Sequence, residues 1–163
     1  MAMKDLGPAE RFAAGAIGRP GERVFYLEVT ANTEVHCFPC EKTQVADLAE
    51  RGLQLLMTAG LQIDEEAVAH LVATGLEVTE PDQPSFRVSS IAIAVVANEF
   101  ITLVLGSADA AEEVRFIVTA EQFRAMALVA ARVVASGRPI CPRCQLPMDP
   151  GGHRCPSSNG HHV

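Results

Sequence analysis

The sequence predicts an α+β fold: two similar βββα halves of antiparallel strands with helices on one side, followed by a zinc-knuckle tail. Three observations lead there. Alternating apolar runs come in two groups of three, and each group leads into an amphipathic stretch with helix-start signals. The closing residues, 137–163, hold cysteines and histidines but few large apolar side chains. The 163 residues thus divide into a body, 1–136, with halves near 8–79 and 85–136, and a tail.

In the first half, Phe12 to Gly18 and Arg23 to Thr30 read as strands around the turn Gly18-Arg19-Pro20-Gly21. The second strand alternates, with Phe25, Leu27 and Val29 on one face and Tyr26 and Glu28 on the other. Glu34 to Phe38 reads as a third strand. A helix starts near Glu41, with Val45, Leu48, Ala49, Leu55 and Leu56 as its buried stripe and Gly60 as its stop. Asp64 caps a shorter helix carrying Val68, Leu71 and Val72 and ending at Gly75.

The linker Glu80-Pro81-Asp82-Gln83-Pro84 precedes a second round. Phe86 to Ala97, Phe100 to Leu105 and Glu113 to Val118 read as strands. Thr119-Ala120-Glu121-Gln122 has the form of a capping box. It opens a helix that buries Phe123, Met126, Ala127, Ala130 and Val134, stopped by Gly137 and Pro139. Thr43-Gln44-Val45-Ala46-Asp47-Leu48 echoes Glu121-Gln122-Phe123-Arg124-Ala125-Met126, as a duplication would leave it.

Composition narrows the function. Hydrophobic residues make up 48% and charged residues 20%, enough for a core without disulfide staples. The net charge of −7, with seven Phe, one Tyr and no Trp, argues against nucleic-acid wrapping or a base-stacking platform. The opening MAMKDLGPAERFAAG has no apolar signal core. The longest apolar stretch, Ile91 to Leu105, is broken by Asn98 and Glu99 and suits two strands better than a membrane span. A cytoplasmic protein is expected.

The tail cannot offset its ordering entropy by apolar burial. It places Cys141, Cys144, His153 and Cys155 within fifteen residues. A C-x-x-C knuckle and a His-x-Cys pair, joined by the reversal Met-Asp-Pro-Gly-Gly at 148–152, supply four nitrogen and sulfur donors for a tetrahedral, closed, structural zinc site. His161 or His162 could take the place of His153, but both sit at the terminus.

These residues resemble an actinobacterial family of uncharacterised proteins, a domain of unknown function sometimes described as a repeat protein. Its opening pattern, PERFxAGTVGxPGxRxFYL, resembles Pro8 to Gly15 and Gly18 to Leu27. EKxQVxxLAER resembles Glu41 to Arg51, and GRPxCPxCGxPxDPxGHxCPRxNG resembles Gly137 to Gly160. Two positions depart from it: Gln145 stands where the family has Gly, and Ser157 where it has Arg. The resemblance implies His153 as the histidine ligand and no established activity.

Other candidates are weaker. Cys37 and Cys40 form a second C-x-x-C before a helix, where a thiolate would be stabilised; they are read as structural, redox-active, or ligands to a shared metal. The family pattern has no cysteines there. Motifs for zinc deaminases, zincins, P-loops and nucleophile elbows are missing, and His36 and His70 read as ordinary histidines. Arg132, Arg138, Arg143 and Arg154 against Asp149 give the helix end and tail a basic bias, read as a solvated surface or as a contact for a small anion, nucleic acid or acidic partner. Glu10, Arg11, Arg23, Glu41 and Lys42 could line a groove between halves. The expected role is a non-enzymatic binding or scaffold protein whose zinc tail docks a protein partner or braces the body, and edge strands could support homodimerisation. The rivals are an enzyme working in that groove and a thiol redox protein using Cys37 and Cys40.

Overall fold

The computed structural model describes residues 2–97, 99–136, 141–146, 148 and 155. Apart from the first, strands form at apolar, mostly alternating runs, and helices where cap signals precede a 3.6-residue period. The order is β1 (Ala2–Pro8), β2 (Arg11–Ile17), β3 (Val24–Ala31), β4 (Glu34–Cys40), α1 (Lys42–Thr58), α2 (Glu65–Ala73), β5 (Ser90–Val96), β6 (Phe100–Gly106), β7 (Glu112–Thr119) and α3 (Ala120–Ala135). The strands make two sheets, one in the order β2-β3-β4 and the other β1-β7-β6-β5.

The helix starts are as the sequence predicts. Asp64 Oδ1 accepts the Glu66 and Ala67 amides at 3.0 and 3.2 Å. Thr119 Oγ1 accepts the Gln122 amide at 3.1 Å, and Gln122 Oε1 accepts the Thr119 amide at 2.8 Å. At α1, Gln44 Oε1 accepts the Glu41 amide at 2.7 Å.

Three expectations need correction. β1, which its mixed residues Met3-Lys4-Asp5 do not announce, runs parallel to β7, so the larger sheet is not wholly antiparallel. The strand expected from Phe86 begins only at Ser90. The residues before it follow the edge of β4: the Ser85 amide donates to the Cys37 carbonyl (2.8 Å) and the Val88 amide to the Pro39 carbonyl (2.9 Å). Phe86 meets Phe38 edge-on there, 5.2 Å between centroids. Pro39 sits on this outer edge, so its missing N–H removes no bond with β3.

The third correction concerns the helices, which do not lie on one side. The larger core gathers Phe12, Leu27, Phe38, Leu103, Phe116 and Phe123 from both sheets and α3, and the Phe12 and Phe116 rings meet edge-on at 5.2 Å. A smaller core of Ala13, Val68, Leu76, Val78 and Ala125 lies on the other face of the β2–β3 hairpin, beneath α2. That second cover explains Glu28, expected on a polar face but only 5% exposed. Its carboxylate pairs with the Arg11 guanidinium and accepts the Thr79 amide at 3.2 Å, while Arg11 also donates to the Glu77 carbonyl at 2.7 Å. Such a pair is costly to break, about 3–5 kcal/mol when one partner goes and the other stays buried.

Among the described residues no helix is long and apolar enough to cross a membrane. The two meanders are also not separate bodies. β1 completes the sheet of the second, residues 85–88 border the sheet of the first, and α2 follows only α1.

α1 crosses α3 at Gly52, where a Cβ would lie 2.0 Å from Phe123 Cζ and 2.2 Å from Cε1. Phe123 is fully buried and has nowhere to retreat. Gly52→Ala would gain about 1 kcal/mol of helix propensity and lose more to overpacking, typically about 1–3 kcal/mol. The expected outcome in a thermal or urea melt is net destabilisation; a melting temperature equal to or above the parent's would contradict the packing described.

Candidate metal centre

After α3 the next described residues form a tight turn. The Gln145 amide donates to the Cys141 carbonyl and the Cys141 amide to the Leu146 carbonyl, each at 2.9 Å. This double closure turns Cys141 and Cys144 toward one another, and the Leu146 amide also bonds to the Cys144 sulfur. Cys155 joins them from further along the chain. The three sulfurs lie within 4.8 Å of one another, with Cys141 and Cys155 fully buried and Cys144 half-buried.

The Cys141 and Cys155 sulfurs are 3.8 Å apart. A disulfide would need about 2.05 Å. Two corners of a tetrahedron with metal–sulfur bonds of about 2.3 Å stand about 3.8 Å apart, so the spacing is that of co-ligands. Desolvation, and then the hydrogen bonds from its cysteine neighbours, push the Cys144 thiol up from its ordinary value. A bound cation reverses this, since it deprotonates the thiols it coordinates. The donor set fits a soft or borderline metal ion. His153 lies outside the described residues, as do His161 and His162, so three of the four expected ligands are placed here.

The other C-x-x-C has a different geometry. Cys37 pairs across β4–β3 with Glu28 and Cys40 with Phe25, so the two cysteines, three apart in a strand, face opposite sides of the sheet. Burial pushes the Cys37 thiol up to about 11, with Glu28 adding to it. Burial also drives Cys40 up to about 12, against the pull of Arg87. Neither belongs to the three-sulfur cluster. A strand, rather than a helix-start loop, carries the motif, and that removes both the dithiol geometry and the thiolate stabilisation the spacing suggested.

The five charged residues expected in one groove fall in two places. Glu10 and Arg11 line a cavity of about 150 Å³ between β2, the end of α2 and α3. Both are committed: Glu10 Oε1 accepts the Thr33 amide at 3.0 Å, and Arg11 serves Glu28. Arg23, Glu41 and Lys42 line a second, larger cleft together with Arg87, which no local motif marks. Arg87 could have been suspected only as a lone cation just past the linker. His36 is half-buried beside Glu34 at 3.8 Å; burial, then Lys4, lower its pKa, which favours neutral imidazole. Arg132 and Arg143 are exposed, while Arg138 and Arg154 lie outside the described residues.

Gln145 closes the knuckle at φ 62°, the left-handed region where its Cβ is strained. Replacing it with the glycine the turn favours removes about 1 kcal/mol of backbone strain, partly offset by glycine's larger unfolded-state entropy. Gln145→Gly is therefore expected to raise the affinity of the three-cysteine site for a divalent metal ion severalfold in competition against a chromophoric chelator. Weaker binding would contradict the assigned turn.

No match to the chain was found among curated proteins or among solved structures. A family model does match, over residues 5–155, from β1 to the third sulfur of the cluster. The chain belongs to the family described as "Protein of unknown function (DUF3090)".

Proposed function

We propose that this chain is a cytoplasmic, non-enzymatic binding or scaffold protein whose tail folds around one structural zinc ion, held by Cys141, Cys144, His153 and Cys155. The observation that carries this is the 3.8 Å co-ligand spacing inside a cluster of three cysteine sulfurs. A shell filled by three thiolates and an imidazole leaves no open position for substrate, which is the signature of a structural site. The tail then presents a rigid surface to a protein partner or braces the body. On this reading the motif from Gly137 to Gly160 is the metal-holding element of an actinobacterial family.

The body reads as one βββα unit duplicated, with the lead-in segments exchanged. Residues 85–88, which precede β5, border β4; β1, which precedes β2, borders β7. The two equivalent glutamines act alike. Gln44 caps α1 and donates to the Val88 carbonyl at 3.1 Å, while Gln122 caps α3 and donates to the Ala9 carbonyl at 2.9 Å. Each helix thereby holds the lead-in of the other half, which supports a reciprocal, swapped repeat. β5 offers a route to a homodimer. Its sequence SIAIAVV carries no charge, and its outer edge has no strand partner among the described residues.

Three measurements test the proposal. Elemental analysis of natively purified protein should find about one zinc per chain, lost in Cys144→Ser and Cys155→Ser. His153→Ala should weaken binding while changes at His161 and His162 do not. Chelation should expose the tail, and not the body, to limited proteolysis; a tail equally protected without metal would defeat the reading. For the dimer, light scattering should give twice the monomer mass for the parent chain and a monomer for Ala92→Lys, whose charge blocks edge pairing. A monomeric parent would remove that part.

A further inference from the structure

We propose that the cleft between the β2–β3 hairpin and the start of α1 is a binding site for the phosphoryl group of a small ligand. The cleft has a volume of about 350 Å³, within the range of ligand pockets. Three segments remote in sequence bring three cations to it: Arg23 from the hairpin, Lys42 from the first turn of α1, and Arg87 from the lead-in to β5. One carboxylate, Glu41, opposes them. The chain as a whole carries a net charge of −7, so this local excess runs against the molecule's average.

The cations are held in ways that suit an incoming anion. Arg23 lies over the Phe25 ring, 5.1 Å from its centroid, and its guanidinium reaches Ser136 Oγ at 3.5 Å. These contacts position the group without neutralising it. Glu41 Oε1 fixes Arg87 at 2.8 Å. The Lys42 ammonium makes no ion pair or hydrogen bond among the described residues. Two planar guanidinium forks beside a free ammonium match the oxygens of a phosphoryl group.

The fold does not by itself impose this lining. A comparable cleft, a hairpin turn against a helix start, lies at α3, where it is lined by Glu99, Phe100, Thr119 and Glu121, with Gly60 and Gln62 from the α1–α2 connection, and by no cation among the described residues. The basic character therefore belongs to the residues at 23, 42 and 87. The site lies in the body, so it stands or falls independently of the zinc tail.

The test is a titration of isotopically labelled, zinc-loaded protein with pyrophosphate, inorganic phosphate and citrate at matched ionic strength, read by amide shifts. The expected result is saturable shifts confined to residues around Arg23, Lys42 and Arg87, with pyrophosphate binding most tightly and added sodium chloride weakening it. Lys42→Glu and Arg87→Gln should each lower pyrophosphate affinity about tenfold, and Lys4→Glu on β1 should leave it unchanged. Both altered side chains are exposed, so an unchanged spectrum elsewhere verifies folding. Citrate binding as tightly as pyrophosphate, shifts scattered over the surface, or undiminished affinity in Lys42→Glu would overturn the proposal.

Discussion

Helix α3 is buried toward both cores at once, and the body is arranged around that constraint. Phe123, Met126, Ala127 and Ala130 enter the larger core, while Ala125 enters the smaller, backed by Leu128 and Val129. A helix can serve two cores only if its neighbours approach closely, and small residues make that possible: alanines on α3 and Gly52 on α1, which leaves room for the Phe123 ring. The β2–β3 hairpin is pressed between the two cores as a result. A carboxylate on its second face must then be buried, and Glu28 is stable there because Arg11 and the Thr79 amide meet it. The end of α3 closes against Arg23 through Ser136, so the cationic cleft lies beside the point from which the chain continues to its cysteines.

On the proposed reading, body and tail hold together by different physics. The body removes large apolar side chains from water on both faces of one sheet and the inner face of the other. Around Cys141 the described residues bring together three cysteine sulfurs. Structural zinc contributes about 10–16 kcal/mol of apparent binding free energy, as much as roughly five fully buried leucines. One ion can therefore stand in for an apolar interior in a short segment.

What could be read from the residues followed local rules. Thr119 with Gln122, Asp64, and the alternation through Phe25, Leu27 and Val29 are short-range signals, and each element they mark stands where expected. The three cysteines were equally legible, because a knuckle's spacing is a geometric statement about one ion. The failures were non-local. β1 carries no alternation of its own and forms because β7 offers an open edge. Phe86 looked like the head of β5 but is drawn to β4 by its contact with Phe38. Cys37 and Cys40 imitate a redox motif until a strand sets them on opposite faces. Arg87 joins Arg23 and Lys42 only through the folding of the linker, which no window of sequence shows.

The sulfur cluster is where the functional account is most exposed. X-ray absorption at the zinc edge of natively purified protein addresses it most directly, since it counts ligands and measures their distances. The account predicts three sulfurs at about 2.3 Å and one nitrogen at about 2.0 Å. A spectrum dominated by light-atom ligands, or protein purified under reducing conditions without stoichiometric zinc, would contradict it.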